Sequence, residues 1–144
     1  MKRKELNKIL DDHKLYVESK GEKGRQANLE GADLTSAKLQ GAILHGANLK
    51  KAHLFCAILL DSNLKGANLE GAYLEGANLK DVNLSGANLI GANLVATNLK
   101  GAKFTTEIRN VSRFSHCEIT KDQLPWLALH PKFSEFYPTL TVFE

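Results

Sequence analysis

The side chains best suited to chemistry in this sequence are its histidines and cysteines, the usual general bases, nucleophiles and metal ligands. They are His13, His45, His53, Cys56, His116, Cys117 and His130. Their spacing matches no metal-binding motif, and His116 and Cys117 share sequence adjacency alone. Two cysteines are too few for a disulfide framework and are interpreted as reduced thiols. The sequence therefore predicts no catalytic residue, no cofactor and no metal site.

A five-residue repeat must position all of these side chains. A leucine or phenylalanine recurs at every fifth position from Leu29 to Phe104, sixteen times. Two positions earlier stands a small residue, alanine in thirteen units, and two positions later stands glycine in nine. Residues two apart in an extended segment point to the same side. Alanine and leucine are therefore predicted to face inward, with Asn, Lys and Glu outward, so that stacked units bury a common core.

The segment Leu-x-Gly-Ala is predicted to form a corner of the solenoid. Its third residue takes a positive φ, a conformation that glycine adopts at little steric cost. Other residues occupy this position at Ser36, Lys51, Cys56, Asp61, Asp81, Ala96 and Thr106. We expect these corners to use a different turn and the second coil, which has three of them in succession, to be slightly reshaped.

The repeated A-N-L-x-G pattern resembles the pentapeptide-repeat family, and only distantly its gyrase-protecting quinolone-resistance branch. The resemblance implies an all-β solenoid, a right-handed quadrilateral β-helix of four to five coils with capping helices at both termini. With four units per turn, His45 and His53 fall on opposite faces and cannot share a ligand.

Four segments are predicted along the chain: residues 1–26 form an N-terminal capping helix and linker, 27–106 the regular β-helix, 107–124 a degenerate final coil and 125–144 a C-terminal helix or tail. The first is an amphipathic helix, carried by Leu6, Ile9, Leu10, His13, Tyr16 and Val17. It lies over the end of the core or on a membrane surface, and its acidic residues favour the core. In 107–124 the five-residue period returns at Phe114, Ile119 and Leu124.

The C-terminal segment begins with a helix-start signal and continues with an apolar run. Thr120 and Gln123 have capping-box spacing, so a short helix is predicted there. The apolar residues that follow include Trp126, Leu127, Phe133, Phe136 and Tyr137. They cap the chain's own last coil or form a homodimer contact, because members of the family often dimerise through their C-terminal segments.

The charge distribution narrows the choice of partners. Residues 27–106 carry seven Lys/Arg and six Asp/Glu, a near balance. They lack the basic stripe of a nucleic-acid binder and the acidic surface of a DNA mimic. No apolar run reaches the roughly 20 residues of a membrane span, and no signal peptide is evident. We therefore expect a cytoplasmic protein that binds neither nucleic acid nor membrane.

A small group of outward positions departs from this polar pattern. In a four-unit turn His53 and Phe55 would neighbour Tyr73, with Ile58 and Leu60 round the next corner. Exposed aromatic and aliphatic side chains in one patch are typical of an interface, unless a terminal segment covers them. The sequence thus predicts a non-enzymatic interaction module with an unknown protein partner. The alternative is a DNA-mimic protein that binds gyrase, which the near-neutral repeats disfavour.

Overall fold

The computed structural model describes residues 1–104, 111, 113–123, 125 and 139–144. Within them lie a helix α1 at Arg3–Glu18, a strand β1 at Glu118–Thr120, a 3-10 helix at Lys121–Gln123 and a strand β2 at Thr141–Phe143. Neither α1 nor any other helix in this part of the chain is long and apolar enough to cross a membrane.

The repeats stack through parallel bridges between residues twenty apart, such as Asn28 with Asn48 and Asn48 with Asn68. Each bridge is hydrogen-bonded in both directions: Leu29 N–H donates to Asn48 O at 2.7 Å, and Asn48 N–H donates to Ala27 O at 2.9 Å. A spacing of twenty residues is four repeat units, so each unit supplies one side of a turn. The backbone polar groups are thereby satisfied by the coils above and below.

The repeat leucines fill a narrow interior. From Leu29 to Leu99 each is at most 2% exposed, and Phe104 is 6% exposed. The small residues two positions earlier share this interior, with Ala47 through Ala77 fully buried. The inward Ala–Leu pattern predicted from the sequence is confirmed.

The corner prediction is right for glycine and wrong for the other residues. Corner glycines have φ between 62° and 71°, and the described non-glycine corners, from Ser36 to Ala96, have φ between 53° and 58°. The turn hydrogen bond is also shared: Ala32 N–H donates to Leu29 O at 3.1 Å, and Ala37 N–H, after Ser36, donates to Leu34 O at 2.9 Å. One turn therefore serves both kinds of corner, because the stacked backbone holds side-chain-bearing residues in the left-handed region despite its steric cost.

The asparagine before the repeat leucine has a local structural role. At each of the nine such positions, Oδ1 accepts a hydrogen bond from the backbone N–H two residues later, at 3.0 to 3.3 Å. Some side chains also form a ladder between coils, as where Asn48 Nδ2 donates to Asn28 Oδ1 at 3.0 Å. Asparagine is preferred there because its short amide can close this local turn before the corner.

Helix α1 lies against the first coil. Leu6 belongs to the buried core, and Ile9 and Leu10 pack against it from the same side of the helix. The helix ends at Glu18, and Ser19 is its C-cap residue. Gly24 then lets the chain pass close to α1 on its way to the first coil, with φ +73°.

His13 joins the helix to the first repeat. It is fully buried, and its Nδ1 accepts a hydrogen bond from Ala27 N–H at 3.0 Å. The neutral ring therefore carries its proton on Nε2, which has no hydrogen-bond partner of regular geometry. Burial lowers the pKa of His13, the nearby backbone of His45 opposes this shift, and the His45 side chain adds to it by repulsion.

Acidification is expected to weaken the contact between α1 and the first coil. The pKa of His13 is lower in the folded protein than in the unfolded chain, where it is near 6.5. The neutral ring therefore contributes fully to stability above pH 6.5, and this contribution is lost as the pH falls through the lower pKa of the folded protein. Urea unfolding at pH 7.5, 6 and 5 should show a falling free energy of unfolding. His13→Asn, which keeps an acceptor near the Nδ1 position but does not titrate, should show a shallower fall. Equal slopes for the two proteins would contradict this prediction.

The C-terminal residues attach to the last described rungs. Arg113 and Glu118 bridge to Asn93 and Asn98, each twenty residues earlier in the chain, and Phe114 and Ile119 are buried. β2 pairs in parallel with β1 and adds a further rung there.

The predicted capping signal does form a short 3-10 helix. The Gln123 amide oxygen accepts from Thr120 N–H at 2.8 Å. Its Nε2 donates to the carbonyls of Leu99 and Ala102. The predicted tail residues Trp126, Leu127, Phe133, Phe136 and Tyr137, like Leu124, lie outside the described residues.

Candidate protein-interaction surface

One face of the solenoid carries aromatic side chains on two successive rungs. Its bridges run from Asp33 to His53, Tyr73 and Asn93. We call this surface the aromatic face; its outward positions hold Asp33, Thr35, His53, Phe55, Tyr73, Glu75, Asn93 and Val95. Because each rung is fixed by hydrogen bonds to the next, the spacing of these side chains is set by the backbone and not by a loop.

Three rings form a contiguous cluster on this face. The ring centroids of His53 and Tyr73 are 5.0 Å apart and those of Phe55 and Tyr73 are 5.7 Å apart, the second pair being stacked. His53 and Phe55 meet edge to face at 6.1 Å. Such separations are favourable for aromatic pairs. Tyr73 remains 41% exposed, so the cluster presents apolar area to solvent.

The two predicted aliphatic members of the patch lie on the adjacent face. Ile58 and Leu60 are half-buried, and Cys56, at the corner, separates them from Phe55 in sequence. Ile58 bridges to Lys38 and Asn78, not to a residue of the aromatic face. The structure therefore brings His53, Phe55 and Tyr73 together and places Ile58 and Leu60 on the neighbouring face of the same coil.

Two carboxylates flank the ring cluster. Asp33 lies one rung from His53. Glu75 is exposed and lies on the same rung as Tyr73, two residues later in sequence. Thr35 donates a backbone hydrogen bond to Asp33 Oδ1 at 3.1 Å. This bond and the Thr35 hydroxyl lower the pKa of Asp33, so the group is ionised at neutral pH. Glu75 Oε2 accepts from Asn93 Nδ2 at 3.3 Å.

The described histidines and cysteines do not converge on a common site. Among the described residues, no three His, Cys, Asp or Glu side chains are grouped to hold a metal ion. Both cysteines are free: Cys56 is exposed at its corner and Cys117 is buried. Burial raises the pKa of Cys117 to about 11, and the Thr97 hydroxyl lies 3.3 Å from its sulfur. At neutral pH Cys117 is therefore a protonated packing residue and not a nucleophile.

Sequence reasoning singled out the three rings but not Asp33 as part of their surroundings. Asp33 and His53 are twenty residues apart, which is the same signal that placed His53 beside Tyr73. Applying this spacing in both directions from His53 would have found the carboxylate. Ring orientations, in contrast, depend on side-chain rotamers and are not encoded in a spacing.

The sequence profile for pentapeptide repeats (8 copies) matches residues 25–55, 32–71 and 67–105. These ranges overlap and together cover more than half of the chain, which therefore belongs to the pentapeptide-repeat family. No curated protein matches the chain.

Solved structures agree with this assignment. Rfr23, a pentapeptide repeat protein from the cyanobacterium Cyanothece 51142, is 51% identical over 56% of this chain, with a TM-score of 0.55. The match spans 55% of that chain, about half its length. Alr5209, a pentapeptide repeat protein from Nostoc PCC 7120, is 27% identical over 92% of this chain and 93% of its own, with a TM-score of 0.58. QnrB1, a plasmid-mediated fluoroquinolone resistance protein, matches distantly, at 24% identity over 61% of this chain and 48% of its own, with a TM-score of 0.39.

These relatives imply that the solenoid is a right-handed quadrilateral β-helix, as the resemblance predicted. Four sides agree with the twenty-residue spacing of the bridges. Pentapeptide-repeat proteins are generally interaction modules and not enzymes. The aromatic face is a partly exposed surface, held by hydrogen bonds between coils, on a fold whose members generally act by binding.

Proposed function

We propose that this chain is a non-enzymatic interaction module of the cytoplasm that binds a protein partner through the aromatic face. The observation that carries the proposal is the ring cluster of His53, Phe55 and Tyr73, which is held on a hydrogen-bonded face and left partly open to solvent. Aromatic side chains are enriched among the residues that contribute most to protein–protein binding. A preformed cluster also loses little conformational entropy when a partner binds.

The test is a comparison of capture by three immobilised proteins in lysate of the native organism. Wild type should retain a partner that the double variant Phe55→Ser/Tyr73→Ser releases, because the variant removes both members of the stacked pair. Ile90→Ser is the matched control, since Ile90 is 54% exposed and lies outside the aromatic face. The partner identified by mass spectrometry is then purified, and its affinity for each of the three proteins is measured.

Thermal unfolding of all three proteins verifies that the double variant remains folded. An equal affinity of the purified partner for wild type and folded double variant would overturn the proposal. Light scattering on the same samples tests the alternative that a second copy of this chain binds the aromatic face. A wild-type dimer that the double variant abolishes would mean that the face mediates self-association.

We also propose that both ends of the core are closed by the chain's own termini, giving four to five coils with a helix at each end. The packing of Leu6, Ile9 and Leu10 of α1 against the core supports this arrangement at the first end. The hydrogen bonds from Gln123 to Leu99 and Ala102 support it at the other. A homodimer through the C-terminal segment remains the alternative use of that end, and the light-scattering experiment distinguishes the two.

A further inference from the structure

We propose that the occupant of the aromatic face is a short, extended, basic segment of a protein, which lies along the axis of the solenoid. This inference rests on the proposed function and specifies the partner's chemistry. It follows from the charges of the face, from its size and from the geometry of its rungs.

The charge of the aromatic face is negative where the rings are. Over the four rungs from Asp33 to Val95, the charged side chains are Asp33 and Glu75, one on each side of the His53–Phe55 rung. The N-terminal amino group bonds to the backbone oxygen of Asp33 at 3.2 Å and offsets part of its charge. Arg3 of α1 lines a cleft with Asp33 and Thr35 at one end of this face. Arg113, on the next rung after Asn93, is the basic side chain at the other end.

The other faces do not offer the same combination. One adjacent face carries Lys38, Lys80 and Lys100 at its outward positions, and the opposite face carries Lys65 and Lys103. The second adjacent face carries Glu30, Lys50 and Glu70 but no aromatic ring. Apolar rings next to carboxylates therefore distinguish the aromatic face. Cationic side chains gain attraction from the carboxylates and their alkyl stems pack on the rings. Nucleic acid, with its phosphates, would be repelled by the same two groups.

The aromatic face by itself is too small to form a stable interface between two folded proteins. The four rungs, about 4.8 Å apart, span about 14 Å, and the two outward columns lie about 7 Å apart. A stable interface between folded proteins buries about 800 Å² on each partner, several times this area. An extended segment of about five residues, at 3.3 Å per residue, matches the length.

The probe is a synthetic peptide, acetyl-Ser-Arg-Ser-Leu-Ser-Arg-amide, titrated into the ¹⁵N-labelled full chain. Alternate side chains of an extended peptide point to one side, so its two arginines and its leucine can face the surface together. We expect amide shifts concentrated on the rungs from Asp33 to Val95. Binding should weaken at 500 mM salt, because exposed ion pairs are screened.

Variants assign the contacts. Phe55→Ser/Tyr73→Ser should raise the Kd about tenfold or more. Asp33→Asn and Glu75→Gln should each raise it about two- to fivefold, as expected for exposed ion pairs. Lys65→Gln, on the opposite face, is the charge control and should leave the Kd unchanged. A matched peptide with glutamate in place of both arginines should bind at least tenfold more weakly.

The inference is overturned if no shifts arise on the aromatic face at 5 mM peptide, or if the glutamate peptide binds as well as the arginine peptide. If the lysate partner still requires Phe55 and Tyr73 in that case, the proposed function stands and only the basic chemistry fails. If the double variant also keeps the lysate partner, the proposed function fails with it.

Discussion

Replacing Gly24 with alanine is expected to lower the free energy of unfolding by about 3 kcal/mol, the combined cost of a forced contact and a left-handed residue. A Cβ at Gly24 would stand 2.2 Å from the backbone oxygen of Asp12 and 2.8 Å from the backbone nitrogen of Tyr16. Both atoms belong to α1 and neither can turn away as a side chain would. The helix must therefore move off the first coil, and the bond from Ala27 to His13 is lost with it.

Gly31→Ala is the matched control for this substitution. Gly31 also has a positive φ, +62°, but an added Cβ meets nothing within 4 Å. Ala96 occupies an equivalent corner at φ 56°, so alanine is tolerated in this conformation. We expect a loss of about 1 kcal/mol, from the left-handed backbone alone. Urea unfolding gives both values, and hydrogen exchange over residues 3–18 reports the release of α1. Similar losses for the two variants would contradict the role assigned to Gly24.

Replacing Leu64 with alanine is expected to lower the free energy of unfolding by about 3 kcal/mol, typical of a leucine deleted from a tight core. Leu64 is fully buried in the middle of the solenoid. Its backbone N–H donates to Asn83 O at 2.9 Å, and its carbonyl accepts from Ala67 N–H at 3.0 Å. Because these bonds fix the coil, the walls cannot collapse into the cavity.

Leu15→Ala provides the comparison, since Leu15 is 45% exposed on α1. A loss below about 1 kcal/mol is expected there, because little apolar area is removed from the core. Chemical denaturation of both variants, with the denaturant slope checked for two-state behaviour, measures the difference. A Leu64→Ala protein as stable as Leu15→Ala would show that the interior can repack.

The interior of the fold follows from the sequence because one inward residue recurs without interruption from Leu29 to Phe104. The period of five identifies the unit but not the number of units in a turn, which came from the family resemblance. The number of units in a turn depends on the angle through which each corner turns the chain. The bridge from Asn28 to Asn48 supplies it directly.

The corner residues show where local propensity misleads. Ser36, Lys51 and Asp61 each disfavour a positive φ when considered alone. In the solenoid, each corner is flanked by inter-coil hydrogen bonds, such as the one from Ser36 N–H to Phe55 O at 2.8 Å. Tertiary pairing thus overrides the preference of a single residue. The short strand β2 was not predicted from the sequence, since its three residues form a strand by pairing in parallel with β1.

The candidate site was partly visible in advance. A spacing of twenty residues placed His53 beside Tyr73, and their centroids lie 5.0 Å apart. The same spacing placed Ile58 and Leu60 round the next corner, where Ile58 bridges to Lys38 and Asn78, but it did not indicate the orientation of the rings. Nor could it indicate the contact between His13 and Ala27, which depends on how α1 docks.

The quarter turn made by each repeat unit constrains how such a chain can change length during evolution. Inserting or deleting one unit between Phe55 and Tyr73 would rotate every later side chain onto the neighbouring face and break the stacked pair. Four units together would return the later side chains to their original face, although a coil inserted at this point would still separate the two rings. A binding surface that spans several coils therefore stays on one face only if whole turns are gained or lost. A surface confined to one coil is unaffected by any number of units added beyond it.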